Sequence, residues 1–293
     1  MAAVASAPPY VPPGHFYSPI TSPADRQRAA SQVSAPGVDL REAAQLALLT
    51  EIAPGLAEPF AGPRYSPANR MFGPADAAIY RSLLRRLQPS RVLEIGSGYS
   101  TALLLDLADD GLPAPDLVAV EPYPARLRGL LRPGDEDRLR LIMLPVQDVP
   151  AAEFDALGDG DLLFIDSTHV AKPGSDVLHL VLQVLPRLAP GVVVHVHDIF
   201  WPFTYPQAWL AEGRDWTEAY LLHAFLAGNS GWEILLFTSW AWHSHPEFAA
   251  PEVRSPAPGS LWLRKAAGTR TAGHDRMAGT GTNNPGRHKA ESH

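Results

Sequence analysis

Seven short apolar runs, RVLEIG, DLVAVE, LRLIML, DLLFID, VVVHVHD, WEILLF and SLWLR, punctuate the chain between Arg91 and Lys265. Runs that are apolar almost throughout, separated by stretches of helical length, describe strands buried on both faces. That is the condition of a parallel sheet joined by crossover helices. The last two runs have no clear helix between them and are expected to pair antiparallel. The pattern predicts an α/β fold: one doubly wound, seven-stranded, mostly parallel sheet with helices on both faces and an antiparallel last strand pair. A chain of 293 residues with 46% hydrophobic content has ample material for that core.

Outside this region the composition changes. Twelve of the 30 prolines precede Asp76, and a backbone that repeatedly lacks its N–H donor cannot pair as a regular sheet. Residues 1–38 are therefore expected to form an extended arm laid on another surface. Asp39 and Glu42 have the spacing of a capping box, opening a helix that stops at Pro54-Gly55. A second helix fits Pro74 to Leu87. After Lys265 large apolar residues almost vanish, which predicts a disordered tail. The expected division is 1–72 for the arm and first helix, 73–265 for the sheet domain and 266–293 for the tail.

A net charge of −7 argues against a phosphate-backbone partner. The absence of cysteine excludes disulfides, thiolate metal sites and a cysteine nucleophile. With neither a secretory-type start nor an apolar run near the ~20 residues that span a bilayer, a soluble, cytoplasmic protein is expected. Its expected partner is a small molecule rather than nucleic acid or membrane, and the arm makes a homo-oligomer an option.

The first strand runs into Gly96-Ser97-Gly98 and then a helix from about Ser100, in R-V-L-E-I-G-S-G-Y-S-T. In an open parallel sheet this turn borders the crevice where strand order reverses, and its small residues admit a nucleotide-like ligand close to the backbone. A dinucleotide fingerprint would place a third glycine at Thr101, and an acid, Glu94, stands two residues before the first glycine; both features weigh against NAD. Glu121 closes the second strand, where a carboxylate can accept hydrogen bonds from a ribose diol. Gln147-Asp148 follows the third and can reach an adenine amino group.

E-x-G-x-G after strand one, with an acid ending strand two, resembles the class I S-adenosylmethionine-dependent methyltransferases over about Gly73 to Lys265. The chain also resembles a bacterial family of predicted methyltransferases carrying HFYSP, GSGYST, VEPYP, FIDSTHV, GSDV, VHVHDIF, EGRDWTEAYLL and GSLWLRK. The resemblance implies that Glu94, Gly96, Ser97, Gly98 and the adjoining Tyr99 cradle the methionine part of S-adenosylmethionine. It implies further that Glu121 holds the ribose and Asp148 the adenine, with Asp166 at the same rim.

Strand four ends in Asp166 and continues to His169; strand five ends in His195-Val196-His197-Asp198. Neighbouring parallel strand ends open on one crevice, so Asp166, His169, His197 and Asp198 are expected to converge, while His195, two residues deeper, reads as a hydrogen-bonded core histidine. The pattern is similar to metal-dependent catechol and caffeoyl-coenzyme A O-methyltransferases. That likeness implies Asp166, His197 and Asp198 as ligands of a divalent cation (Mg, Mn, Fe or Zn), with His169 in the place of the catalytic lysine. An imidazole with an ordinary pKa near ~6.5 would suit proton abstraction. The expected reaction is O-methylation of a small hydroxylated acceptor, with Asp166, His169 and His197 catalytic. Two histidines and a carboxylate can also hold a non-haem iron, which leaves a metal-dependent oxygenase, or another non-methylating enzyme on the same fold, as the alternative.

Between strand five and the next helix, Ile199 to Asp215 carries Trp201, Phe203, Tyr205 and Trp209 between prolines, a candidate lid. Asp215 and Glu218 suggest another capping box. Arg214 is expected to pair with an acid or to bind a substrate carboxylate.

Overall fold

All seven apolar runs are strands: β1 Arg91–Ile95, β2 Asp116–Val120, β3 Leu139–Ile142, β4 Leu162–Ile165, β5 Val193–His197, β6 Trp232–Phe237 and β7 Ser260–Lys265. In the computed structural model, which describes residues 8–248 and 257–267, they form one sheet in the order β3-β2-β1-β4-β5-β7-β6. Strands β1 to β5 are parallel. Strand β7 slots between β5 and β6 and runs antiparallel to both. The expected antiparallel pair is present, with a short helix between its members.

The helices are α1 Pro23–Ala30, α2 Glu42–Leu56, α3 Pro74–Leu87, α4 Tyr99–Asp109, α5 Ala125–Leu130, α6 Ala151–Asp155, α7 Asp176–His179, α8 Gln207–Ala211, α9 Glu218–Leu226 and α10 Thr238–Ser244. The central strands are apolar because both of their faces are covered. Val92, Leu93, Leu162, Leu163, Val193 and Val194 are all buried, and α3 and α4 contribute Leu83, Leu84, Leu103 and Leu104 to the same core.

Three local expectations change. The arm is not wholly extended: Ser22 caps α1 in a capping box with Asp25, and Pro23 sits at the first helical position, where its missing N–H costs nothing. The Asp39–Glu42 box does not form, because Asp39 Oδ1 accepts from Arg41 N–H and Arg41 precedes α2 in the left-handed region at φ 51°. What anchors α2 is Gln45, fully buried, whose Oε1 accepts from the Phe237 N–H at 2.7 Å. The helix also runs past Pro54 to Leu56. Nearly all of the expected tail, from residue 268 on, lies outside the described residues.

Candidate active site

Strand order reverses between β1 and β4, and in such sheets the crevice at the carboxyl ends beside the reversal is where ligands bind. Gly96 leaves β1 at φ +82°, and a Cβ there would lie 1.9 Å from the Asp166 carbonyl oxygen. Only glycine fits, since the backbone following β1 lies directly against the backbone following β4. Asp166 N–H in turn donates to the Ile95 carbonyl at 2.9 Å.

Around this turn the expected binding residues divide into two groups. Glu121 faces it: Oε2 accepts from Ser97 N–H at 3.2 Å and Oε1 from Tyr123 N–H at 2.8 Å. Each oxygen retains acceptor capacity for a ligand hydroxyl. Ser97 Oγ is buried without a partner, and Gly98 and Tyr99 open α4. Asp148 is exposed at the end of a 3-10 turn after β3; its neighbour Gln147 is taken up by the Gly174 carbonyl at 2.8 Å. Glu94 departs from expectation. It is fully buried, and its two oxygens accept from the hydroxyls of Ser100 and Thr101. It ties β1 to the first turn of α4 and so shapes the turn rather than lining the crevice. Burial, only partly offset by those hydroxyls, pushes its carboxyl up to about 7. A glycine cradle, an orphaned serine hydroxyl and a half-buried carboxylate one strand over fit the methionine and ribose portions of S-adenosylmethionine.

At the ends of β4 and β5 the expected convergence occurs. His169 Nε2 stands 3.4 Å from Asp166 Oδ1 and 3.8 Å from Asp198 Oδ2, and its Nδ1 is 2.8 Å from Glu218 Oε2 at the start of α9. His169 and Asp198 both occupy left-handed backbone, at φ 61° and 56°, a strained conformation for non-glycine residues that the surrounding contacts must hold in place.

Electrostatics follows the geometry. Burial opposes charge on His169, but the hydrogen-bonded carboxylates of Asp166 and Glu218 outweigh it and raise the imidazole to about 10. At neutral pH the ring is therefore a cation, not the free base that its ordinary pKa suggests. Burial raises Asp166, yet the facing imidazoles of His197 and His169 hold it below the usual carboxylate value. Asp198 is pushed upward by burial.

His195 is in the core as expected, stacked on Phe164 with ring centroids 4.3 Å apart, but neither ring nitrogen has a hydrogen-bond partner. Burial therefore pushes its pKa far down. His197 is also buried, packed on Phe72 at 5.2 Å, with Nδ1 unpartnered and Nε2 3.7 Å from Asp198 Oδ1. Asp76 faces His197 from the first turn of α3, a neighbour that the sequence does not announce. Burial lifts its carboxyl to about 6, and its Oδ1 accepts from Gly259 N–H at 3.1 Å.

The expected cation ligands do not assemble. Among the described residues no group of three His, Asp or Glu side chains is arranged to hold a metal ion. The His169 ring stands beside both Asp166 and Asp198, while His197 is engaged in the aromatic core. As they stand, Asp166, His197 and Asp198 are not drawn together as the ligand set of an ion.

The aromatic segment after β5 lies over this cluster. Trp216 packs on His169 at 4.4 Å and meets Trp209 and Tyr205 edge to face. Arg214 stacks over Trp209 at 4.4 Å and donates to Glu212. The second expected capping box does not form either: Asp215 accepts from Thr21 of the arm, and Glu218 is turned to His169. The arm further secures the segment through Gln32 Nε2, which donates to the Pro202 carbonyl at 2.7 Å. No described helix is long and apolar enough to cross a membrane.

Comparison with known proteins places a domain match on part of this chain. The family model described as a methyltransferase domain matches residues 93–199. An uncharacterized protein of Archaeoglobus fulgidus is 31% identical over 168 residues, covering 50% of this chain and 73% of its own. Among solved structures, the SAH-bound methyltransferase PaMTH1 of Podospora anserina is 18% identical, covering 83% of this chain and 95% of its own at a TM-score of 0.46. A putative methyltransferase of Thermobifida fusca is 17% identical, covering 84% and 90% at a TM-score of 0.43. Since neither overlap reaches a TM-score of 0.5, the assignment rests on the strand order, the glycine turn and the domain match. On those grounds the chain belongs to the class I S-adenosylmethionine-dependent methyltransferases.

Proposed function

We propose that this protein methylates an oxygen of a small hydroxylated acceptor, with S-adenosylmethionine held at the Gly96–Gly98 turn and the acceptor held against Asp166, His169 and Asp198. The observation that carries the reading is the double engagement of Asp166. Its carbonyl packs on Gly96 and its carboxylate faces the His169 imidazole. The donor turn and the polar cluster are therefore parts of one crevice rather than two sites.

When bound, S-adenosylmethionine supplies an electrophilic methyl group on a sulfonium. The chain supplies the rest. Glu121 and the turn orient the donor. Asp198, whose raised carboxyl has more affinity for a proton than an ordinary carboxylate, takes the acceptor's hydroxyl proton. The His169 imidazolium sets a positive charge beside the oxygen as negative charge develops there, a form of stabilisation that is strongest where water is excluded. Trp216, backed edge to face by Trp209 and Tyr205, packs on His169 and keeps water from it, and this apolar surround suits an aromatic acceptor. His169 thus acts electrostatically and Asp198, rather than His169, as the base.

Calorimetry with S-adenosylmethionine, followed by transfer of a labelled methyl group to a panel of catechols, phenols and aliphatic alcohols, tests the reading. Saturable binding with label in an ether product supports it. Label on nitrogen or carbon acceptors in place of oxygen contradicts the proposed chemistry, and no heat at millimolar ligand contradicts the donor site itself.

A further inference from the structure

Glu218 lies 49 residues from His169 in sequence and belongs to a different element, yet its carboxylate is fully buried and ends 2.8 Å from His169 Nδ1. The same helix start also grips the histidine's backbone. The N–H groups of Thr217 and Glu218 donate to the His169 carbonyl at 2.9 and 3.1 Å, and Thr217 Oγ1 accepts from Ala171 N–H at 2.7 Å. Trp216, just before the helix, covers the ring. One short stretch, Trp216 to Glu218, thus contacts His169 through carbonyl, ring face and Nδ1.

Such contacts are needed because His169 is a non-glycine residue at φ 61°, a conformation that costs on the order of 1–3 kcal/mol when nothing imposes it. A buried carboxylate is also costly without a partner, and a hydrogen-bonded neighbour on one imidazole nitrogen decides what the other presents. We propose that Glu218 is the positioning residue for His169, holding a proton on Nδ1 and so turning Nε2 toward the crevice between Asp166 and Asp198. This rests on the methyltransferase reading for its purpose, though not for its geometry. Glu218 touches no reacting atom; it fixes the residue that does.

Full-length protein with ¹⁵N-labelled histidine tests this by NMR, the His169 ring being assigned through His169→Asn. In the wild type the expected signature is a proton on His169 Nδ1, protected from solvent exchange. Glu218→Gln, whose amide oxygen still accepts, should keep that proton. The near-isosteric Glu218→Leu should release it, with exchange faster by about tenfold or more. Affinity for S-adenosylhomocysteine, measured by calorimetry, should change by less than about twofold in both variants, because the glycine turn is untouched. A wild-type ring unprotonated at Nδ1, or equal protection in Glu218→Leu, overturns the proposal. The wild-type and Gln measurements decide it even if the Leu variant does not fold. Failure of the wild type to bind S-adenosylhomocysteine while the ring behaves as described would instead remove the methyltransferase reading and leave the positioning role standing.

Discussion

Glu121, just past the end of β2, accepts the backbone N–H of Ser97 in the turn after β1, at 3.2 Å. The contact places a carboxylate at the donor turn from a neighbouring strand. Glu121→Ala removes it from a half-buried rim position, so the fold should survive. Affinity for S-adenosylhomocysteine should fall by about 10- to 100-fold, the range for loss of hydrogen bonds to a charged group. Calorimetry on the two proteins checks this; equal affinities would remove Glu121 from the site.

Gly96→Ala should be far more damaging. The added Cβ meets the Asp166 carbonyl at 1.9 Å in a backbone at φ +82°, so β1 and β4 must separate or the turn must rearrange. A loss of about 3 kcal/mol or more in urea unfolding is expected, together with loss of donor binding. Near-wild-type stability would show that the turn is looser than described.

Stability should depend on pH through Glu94. Its carboxyl is raised from 4.5 to about 7 in the folded protein, so the native state holds a proton that the unfolded chain has released. Stability contributed by this group is therefore complete below the unfolded value and is lost as pH rises from about 4.5 to 7, by up to about 3 kcal/mol. Asp76, raised to about 6, acts in the same direction. His169, raised to about 10, contributes stability that is complete below about 6.5 and lost between there and pH 10. Thermal unfolding of wild type and Glu94→Gln between pH 5 and pH 7 tests the first part. The wild type should lose more stability across that window than the variant, and parallel curves would show that Glu94 does not titrate there.

The arm holds the aromatic segment through Thr21 to Asp215 and Gln32 to Pro202. It also walls a cavity of about 410 Å³ formed with Trp201, Tyr205 and His243. A chain beginning at residue 34 should be cleaved between residues 199 and 215 about tenfold faster by a broad-specificity protease, because local opening no longer breaks these contacts. Unchanged cleavage would show that the segment holds itself.

Much of the architecture was legible because it is written in local patterns. Apolar runs gave the strands, and the glycine pair gave the turn. The rule that parallel strand ends share a rim brought Asp166, His169, His197 and Asp198 together. What was not legible depends on distant partners. Asp39, Glu42, Asp215 and Glu218 all have cap-like spacing, but a side chain that satisfies a nearby N–H and one that reaches across the fold look alike in sequence. The spacing assigns Glu218 and Asp215 to one cap, yet Glu218 belongs to His169 and Asp215 to Thr21. The sequence suggests an ordinary pKa for His169 because the carboxylate on its far side lies 49 positions away. Asp76 is not legible as a site residue because nothing in the sequence of α3 points to His197.

A crystal structure with S-adenosylhomocysteine bound bears most directly on the central claim. The ligand is expected with its methionine part on Gly96–Gly98, its ribose on Glu121 and its sulfur turned toward Asp166 and His169. Density confined to another face of the sheet, or a sulfur turned away from the His169 side of the crevice, would contradict it.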